Sequence, residues 1–524
     1  MGRTQGALVG LALIVSACGG GSSGTAPGCT VSCPASPFTV LVNQPPAAGD
    51  LSLLLTDGTV MMQSASDASI FYRLTPDAFG SYVNGTWSRL ASPPVGYAPY
   101  ASAQVVLADG RVLFAGGEYN QNQYVLPFAP SGLTNMSAVY DPVVDQWTMI
   151  APPPGVAYMG DVTSVVMPDG SFVFGDKLGR NMWRLDPATL SWSAVPSTGK
   201  ADDFAEEGWT LLPDGALFTI DVGNPRHAEH FDPATAQWYS DGSTPTGMTA
   251  PTDHPGGLAY GPAPMQVVGG ITYGPGPTGV YNAPGEVGPA LLLPDGRVFA
   301  TGAAAGGSVA HTALYSAGAT PADPGTFTAG PDFGAGDDAG DASAALLPSG
   351  HVLIATLSGR FYEFDGAALR STGALSTGGG TIAYFVQTLP SGQALVTGGA
   401  TRVYAGAGSA DPAWAPVITV APATVTRGSS YAVSGTQFNG LSQAAAVGDE
   451  FNAATNYPLV RITNAASGHV YYARTHEHSS MGVATGSTLV ATQFDVPANM
   501  ETGASSLVVV ANGIASAAVN VMVD

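Results

Sequence analysis

The chain has 524 residues, of which 10% are charged, 45% are hydrophobic, 69 are glycine and 41 are proline. Disorder needs low hydrophobicity and dense charge, and this chain has neither, whereas abundant turn formers suit an all-β protein. The 38 acidic against 16 basic residues give a net charge of −22, which argues against nucleic acid as a partner because phosphate binding needs clustered Lys and Arg.

In chain order, Arg3 precedes an apolar run from Ala7 to Val15 that is too short to span a bilayer. Val15-Ser16-Ala17-Cys18 then resembles the lipobox of bacterial lipoproteins. The resemblance implies that residues 1–17 are a cleaved signal peptide and that Cys18 is acylated. The protein is then a membrane-anchored lipoprotein of the cell envelope, touching the membrane through its lipid only. An ordinary secretory signal is the alternative, and both readings export the protein. Residues 18–36 read as a flexible tether. They hold Cys29 and Cys33, the last cysteines of the chain.

From residue 37 to 414 one unit recurs: an apolar run, an Asp-Gly or Ser-Gly turn and a second apolar run. The turns are Asp57-Gly58, Asp109-Gly110, Asp169-Gly170, Asp214-Gly215, Asp295-Gly296, Ser349-Gly350 and Ser391-Gly392. Glycine supplies the positive φ of a tight hairpin, and the period of mostly about 40 to 60 residues is that of a propeller blade. Between the turns, Tyr140-Asp141-Pro142, Leu185-Asp186-Pro187 and Phe231-Asp232-Pro233 lead to Trp147, Trp192 and Trp238, a pattern that resembles the kelch repeat. The expectation is a seven-bladed β-propeller. Its longest turn-to-turn interval runs from Asp214 to Asp295. Residues 240–285 within it read as a Gly/Pro-rich loop, either covering one rim or forming a surface insertion; Met265-Gln266-Val267-Val268 is its one strand-like run. Residues 415–524 alternate in short strands without the Asp-Gly hairpin, which suits an immunoglobulin-like (E-set) sandwich.

A kelch propeller followed by an immunoglobulin-like domain resembles the galactose oxidase and glyoxal oxidase family. Membership would imply a copper-radical oxidase with a tyrosine cross-linked to cysteine, a Tyr-His pair and a further histidine from the C-terminal domain. The propeller region holds no cysteine and the chain no Tyr-His dipeptide, so the expectation is the family fold without its Tyr-Cys cofactor.

In a propeller each blade's first strand lines the central channel, so residues just ahead of those strands gather at one mouth. Counting back eight residues from the turns gives Asp161, Glu206 and Asp341; adjacent positions hold Asp50, Glu207 and Glu286, with Tyr100 in the second blade. Six carboxylates would then ring one end of the axis. They could hold a hard cation such as Ca²⁺, perform acid and base catalysis, or cap strand ends beside channel water. Copper is the weaker metal reading. In the C-terminal region, alternation along Thr475-His476-Glu477-His478 sets His476 and His478 on one side, either as two ligands needing a third or as an exposed strand end. These histidines would meet the carboxylates if their segment reaches the axis. His227, His230, His254, His311 and His351 read as packing or hydrogen-bonding groups, and Trp87, Trp183 and Trp209 as blade packing or sugar-stacking surfaces.

The leading functional expectation is a cell-surface binding protein that engages a glycan or a protein, with a cation at the channel as an option. Its rivals are an oxidase of the galactose/glyoxal oxidase type with a divergent copper site and a carbohydrate-active hydrolase or lyase.

Overall fold

The structure is a computed structural model that describes residues 36–120, 133–250, 258–260, 265–281, 285–304, 308–375, 384–448 and 453–524. The signal peptide, Cys18, Cys29, Cys33, His254 and parts of the 240–285 segment lie outside the described residues.

Pro37–Asp524 is one compact unit, and its described elements are strands apart from a 3-10 turn at Pro412–Trp414. Seven sheets with four blade strands each form the propeller. Their first strands are Gly49–Leu54, Ala103–Val106, Ser164–Val166, Thr210–Leu211, Val287–Leu292, Ser343–Leu346 and Phe385–Thr388. The ring closes without a covalent link. Phe38–Val40 supplies the outer strand of the seventh blade, pairing antiparallel with Arg402–Tyr404, and the Phe38 ring lies 4.8 Å from Phe361 and 4.9 Å from Tyr404.

The repeated turn works as its sequence demands. All seven turn glycines have φ between 73° and 89°, and each donates its N–H to the carbonyl three residues back, as Gly170 does to Met167 at 2.8 Å. Where the first turn residue is Asp, its carboxylate accepts the N–H two residues on, at 2.9 Å for Thr59 and Arg111. Aspartate thereby replaces a backbone acceptor at the hairpin tip while glycine provides the left-handed step. Tryptophans of the outer strands bind one blade to the chain entering it. Trp147 Nε1 donates to the Ala91 carbonyl and Trp192 Nε1 to that of Ala151, both at 2.8 Å. The Trp147 ring packs 5.0 Å from both Phe114 and Tyr140, so a large apolar ring is half-buried while its polar edge is satisfied.

The 240–285 segment contains short strands as well as loop. Gln266–Val268 pairs with Ile271–Tyr273 and Leu258–Tyr260 with Gly279–Tyr281. The Tyr273 hydroxyl donates to Ile150 O at 2.8 Å and that of Tyr158 to Pro277 O at 2.6 Å, fastening the insertion to the second blade and the stretch that follows it.

Beyond the propeller, Val417–Val420, Ser430–Thr436, Leu459–Asn464, Val470–His476, Val490–Asp495, Gly503–Ala511 and Val519–Val523 build a largely antiparallel ladder. It encloses a core of its own that includes Val433, Phe438, Val460, Ile462, Phe494 and Val509. One of its connections enters the propeller channel. Ala445–Val447 adds a fifth strand to the sixth blade, against Ser343–Ala345; Gln443 Oε1 accepts from Leu211 N of the fourth blade at 2.8 Å; Gln387 Nε2 of the seventh donates to Ala453 O at 3.2 Å. The Tyr457 hydroxyl donates to Leu54 O of the first blade. The space left between Ser164, Trp209, Ala290 and the plug is about 20 Å³, room for about one water. Removing the buried hydroxyl in Tyr457→Phe strands the Leu54 carbonyl and is expected to lower stability by roughly 1–3 kcal/mol in a denaturant titration; an unchanged midpoint would show that the plug does not hold the first blade.

Candidate functional site

The chain kinks where it enters several first strands. Ala101, Ala205 and Asp341 have φ of 47°, 37° and 50° and Gly160 has 74°, left-handed values that L side chains adopt rarely. The kinks lie eight or nine residues ahead of the turns, at the channel end opposite to them. Beside the kinks sit the carboxylates expected there: Asp50 and Asp161 are buried, Glu206 is nearly so, and Glu286 and Asp341 are half-buried.

Two residues not foreseen from the first strands complete the mouth. Glu118 and Lys177 follow the second strands Val112–Ala115 and Phe172–Gly175, which run back from the turn to the same end. Counting forward from each turn as well as back would have found them. The Lys177 ammonium, 1% exposed, bridges Asp161 and Glu206, so a cation of the chain itself occupies the ring. One ammonium does not balance the surrounding carboxylates. Burial lifts Glu118 to about 7, with Lys177 opposing and Glu206 and Asp341 adding to the rise. Burial likewise lifts Asp341 to about 6, reinforced by Glu206, and Asp50 to about 7 against hydrogen bonds from Leu51 and Tyr100. Asp161 is pushed up by burial despite its contact with Lys177, and its Oδ1 has no hydrogen-bond partner.

Glu207 corrects the expectation of a six-membered ring. It is fully buried and turns away from its neighbour Glu206 into a second cluster, where Lys200 Nζ lies 2.6 Å from Glu207, 2.7 Å from Glu229, 4.0 Å from Asp221 and in contact with Asp202. Burial opposes the charge on Lys200, but Glu207, Asp202, Glu229 and Asp221 together hold its proton affinity above the ordinary lysine value. Burial pushes Glu207 up, only partly offset by Lys200. The Glu206-Glu207 pair is thus divided between two lysines. Among the described residues, ligand atoms of three or more His, Cys, Asp or Glu residues converge within 4.8 Å only in this second cluster and not at the mouth.

The His476 and His478 rings neither meet the carboxylate ring nor bond to a common side chain. The strand ends at His476, and Glu477 has φ of 51°, which breaks the alternation that would align the two rings. His476 Nε2 lies 3.1 Å from Asp495 Oδ1. His478 is buried, its Nδ1 2.9 Å from Thr492 Oγ1 and its ring parallel to Tyr457 with centroids 6.0 Å apart; burial, with His476 and Arg474, depresses its proton affinity to about 3. The segment docks the C-terminal strands onto the turn end of the propeller. Thr475, His478 and Met481 donate their N–H groups to the carbonyls of Thr56, Ala108 and Pro168, at 3.1, 3.0 and 3.0 Å, each immediately before an Asp-Gly turn. That end is opposite to the carboxylates. His227, His230, His311 and His351 pair with Asp221, Asp241, Asp332 and Glu363. Trp209 packs between Phe204 and Trp238.

No family model matches the chain. It is 29% identical over 133 residues to the Kelch-like protein terF of Aspergillus terreus, a match spanning 25% of this chain and 26% of that protein. Among solved structures, a fungal alcohol oxidase of the AA5 family in complex with copper superposes with a TM-score of 0.50 at 12% identity, covering 93% of this chain and 98% of that one. Virginiamycin B lyase from Staphylococcus aureus matches with a TM-score of 0.40 at 10% identity, over 70% and 96%. The chain therefore has a distant kelch-like relative over a quarter of its length and shares an all-β propeller fold with a galactose oxidase-like structure.

The residues present do not fit a copper-radical centre. Among the described residues the donors at the mouth are carboxylates, tyrosine hydroxyls and an ammonium, and no cysteine follows Cys33 to form the thioether.

The raised carboxyls set a pH dependence. Asp50, Glu118, Asp221 and Asp341 keep protons to about 6–7 when folded but release them near 4 when unfolded. Their stabilising contribution is complete below that lower value and is lost as pH rises through the higher one. Thermal melts are expected to show Tm falling from about pH 4.5 to 7.5, less steeply in Asp50→Asn; a flat or rising profile would contradict it.

Proposed function

We propose that this is an exported, lipid-anchored binding protein of the cell envelope. It is built as a kelch-type propeller with an immunoglobulin-like C-terminal sandwich, and its ligand is a glycan taken at the channel mouth. The carrying observation is the dispersed ring around Lys177. Its carboxylates do not converge in threes as an ion would require. Several hold protons close to neutral pH, so the rim offers both donors and acceptors, as a hydroxyl-rich ligand requires. Half-buried Tyr100 and Tyr119, with ring centroids 6.1 Å apart, add an aromatic surface of the kind on which sugar rings pack. A glycan suits this polar mouth better than a protein surface, which needs a broad apolar centre.

The second reading, an oxidoreductase, is favoured by one observation, the likeness in fold to the copper-bound alcohol oxidase. Glycan-array screening followed by calorimetry separates the two. Saturable sugar binding, weakened at least about tenfold in Asp161→Asn and Glu286→Ala, supports the binding reading. Stoichiometric copper in the purified protein together with peroxide release from sugars or small aldehydes overturns it. For the anchor, Cys18→Ser is expected to move the protein from the detergent phase to the aqueous phase on phase partitioning; a wild-type protein already in the aqueous phase would refute lipidation.

A further inference from the structure

We propose that the cluster beside Lys200 in the fourth blade is a binding site for a divalent first-row transition ion, with Asp221, His227 and Glu229 as its ligands. One carboxylate or imidazole atom from each of these residues lies within 4.8 Å of the others. An ion about 2.0–2.2 Å from each would draw those atoms to about 3.4 Å apart, a side-chain adjustment of about 1 Å.

Three further observations point to an ion. The first is charge. Lys200 faces Asp202, Glu207, Asp221 and Glu229, so with every carboxylate ionised three negative charges stay uncompensated, and a divalent ion reduces them to one. Burying unpaired charge is costly.

The second is an orphan acceptor. Asp221 Oδ1 is buried and has no hydrogen-bond partner, lying 4.0 Å from Lys200 Nζ, beyond hydrogen-bond reach. Its other oxygen is 2.5 Å from His227 Nδ1.

The third is the outer shell. His227 Nε2 lies 2.6 Å from Ser240 Oγ. With the ring proton on Nε2 donated to that hydroxyl, Nδ1 turns its lone pair toward the carboxylates, as a metal-ligating histidine does when an outer partner fixes its tautomer. Glu229 is held likewise by the Ala201 N–H, at 3.2 and 3.0 Å from its two oxygens. The mixed nitrogen and oxygen donor set selects Zn²⁺ or Co²⁺ over the hard ions Ca²⁺ and Mg²⁺.

An access route exists. The side chains of Lys200, Glu207, Asp221 and Glu229 are 0–1% exposed, while those of His227 and Asp202 are 19% and 18% exposed, so the cluster opens to solvent on one side. The Lys200 ammonium keeps Asp202 and Glu207 as partners and holds Glu229 Oε1 at 2.7 Å, so the ion shares Glu229 with the lysine, with Asp221, His227 and water as its other ligands.

The test is calorimetric titration of Zn²⁺, and visible-absorption titration of Co²⁺, into the full mature chain after chelator dialysis. One equivalent of either ion is expected to bind. Binding should weaken at least about tenfold in His227→Ala and roughly tenfold in Ser240→Ala, and stay unchanged in His476→Ala. Ser240 is exposed, so its variant tests the site without burdening the core. Absence of binding by the wild type, indifference to both His227→Ala and Ser240→Ala, or loss of binding in His476→Ala would each overturn the proposal.

Discussion

A carboxylate removed from water must find a proton, a donor or a cation, and the mouth end of this propeller is arranged around that requirement. The fold brings a residue from the start of one strand and another from the end of the next to the same place, blade after blade. In an acidic chain many of these are Asp or Glu. Two buried lysines answer for several of them, Lys177 for Asp161 and Glu206 and Lys200 for Asp202, Glu207 and Glu229. The balance is incomplete in both places, which makes this end of the molecule receptive to protons.

The other end is occupied by architecture. The C-terminal strands dock on the carbonyls preceding three successive Asp-Gly turns, and their plug reaches strands of several blades. The two regions share one hydrogen-bonded scaffold, so a change in the plug is felt by the first strands that carry the mouth residues.

Much of this was legible in the sequence. The Asp-Gly hairpins gave blade number and period because each turn needs a positive φ and a side-chain acceptor at fixed positions, a local demand that leaves a local signature. Asp50, Asp161, Glu206, Glu286 and Asp341 could be placed because the turn is a ruler for the strand before it. Glu118 and Lys177 lie beyond the turn, on the returning strand, and were hidden only by counting in one direction. Glu207 was misjudged for a different reason: which of two adjacent glutamates faces the axis is decided by the kink at Ala205 and by where Lys200 lies, and neither is a local property of the sequence. The His-Glu-His segment resembled a chelate because its alternation assumed a continuous strand. Glu477 turns the chain there, and the spacing of three from Thr475 to His478 to Met481 matches the spacing of the blades.

The plug also acts as a tie between blades. Ala445–Val447 is hydrogen-bonded to the first strand of the sixth blade, and only about 20 Å³ is left beside it among the described residues. The first strands of the fourth, sixth and seventh blades therefore bond to a segment borrowed from the C-terminal region, so blades that do not adjoin in the ring are tied to one another through it.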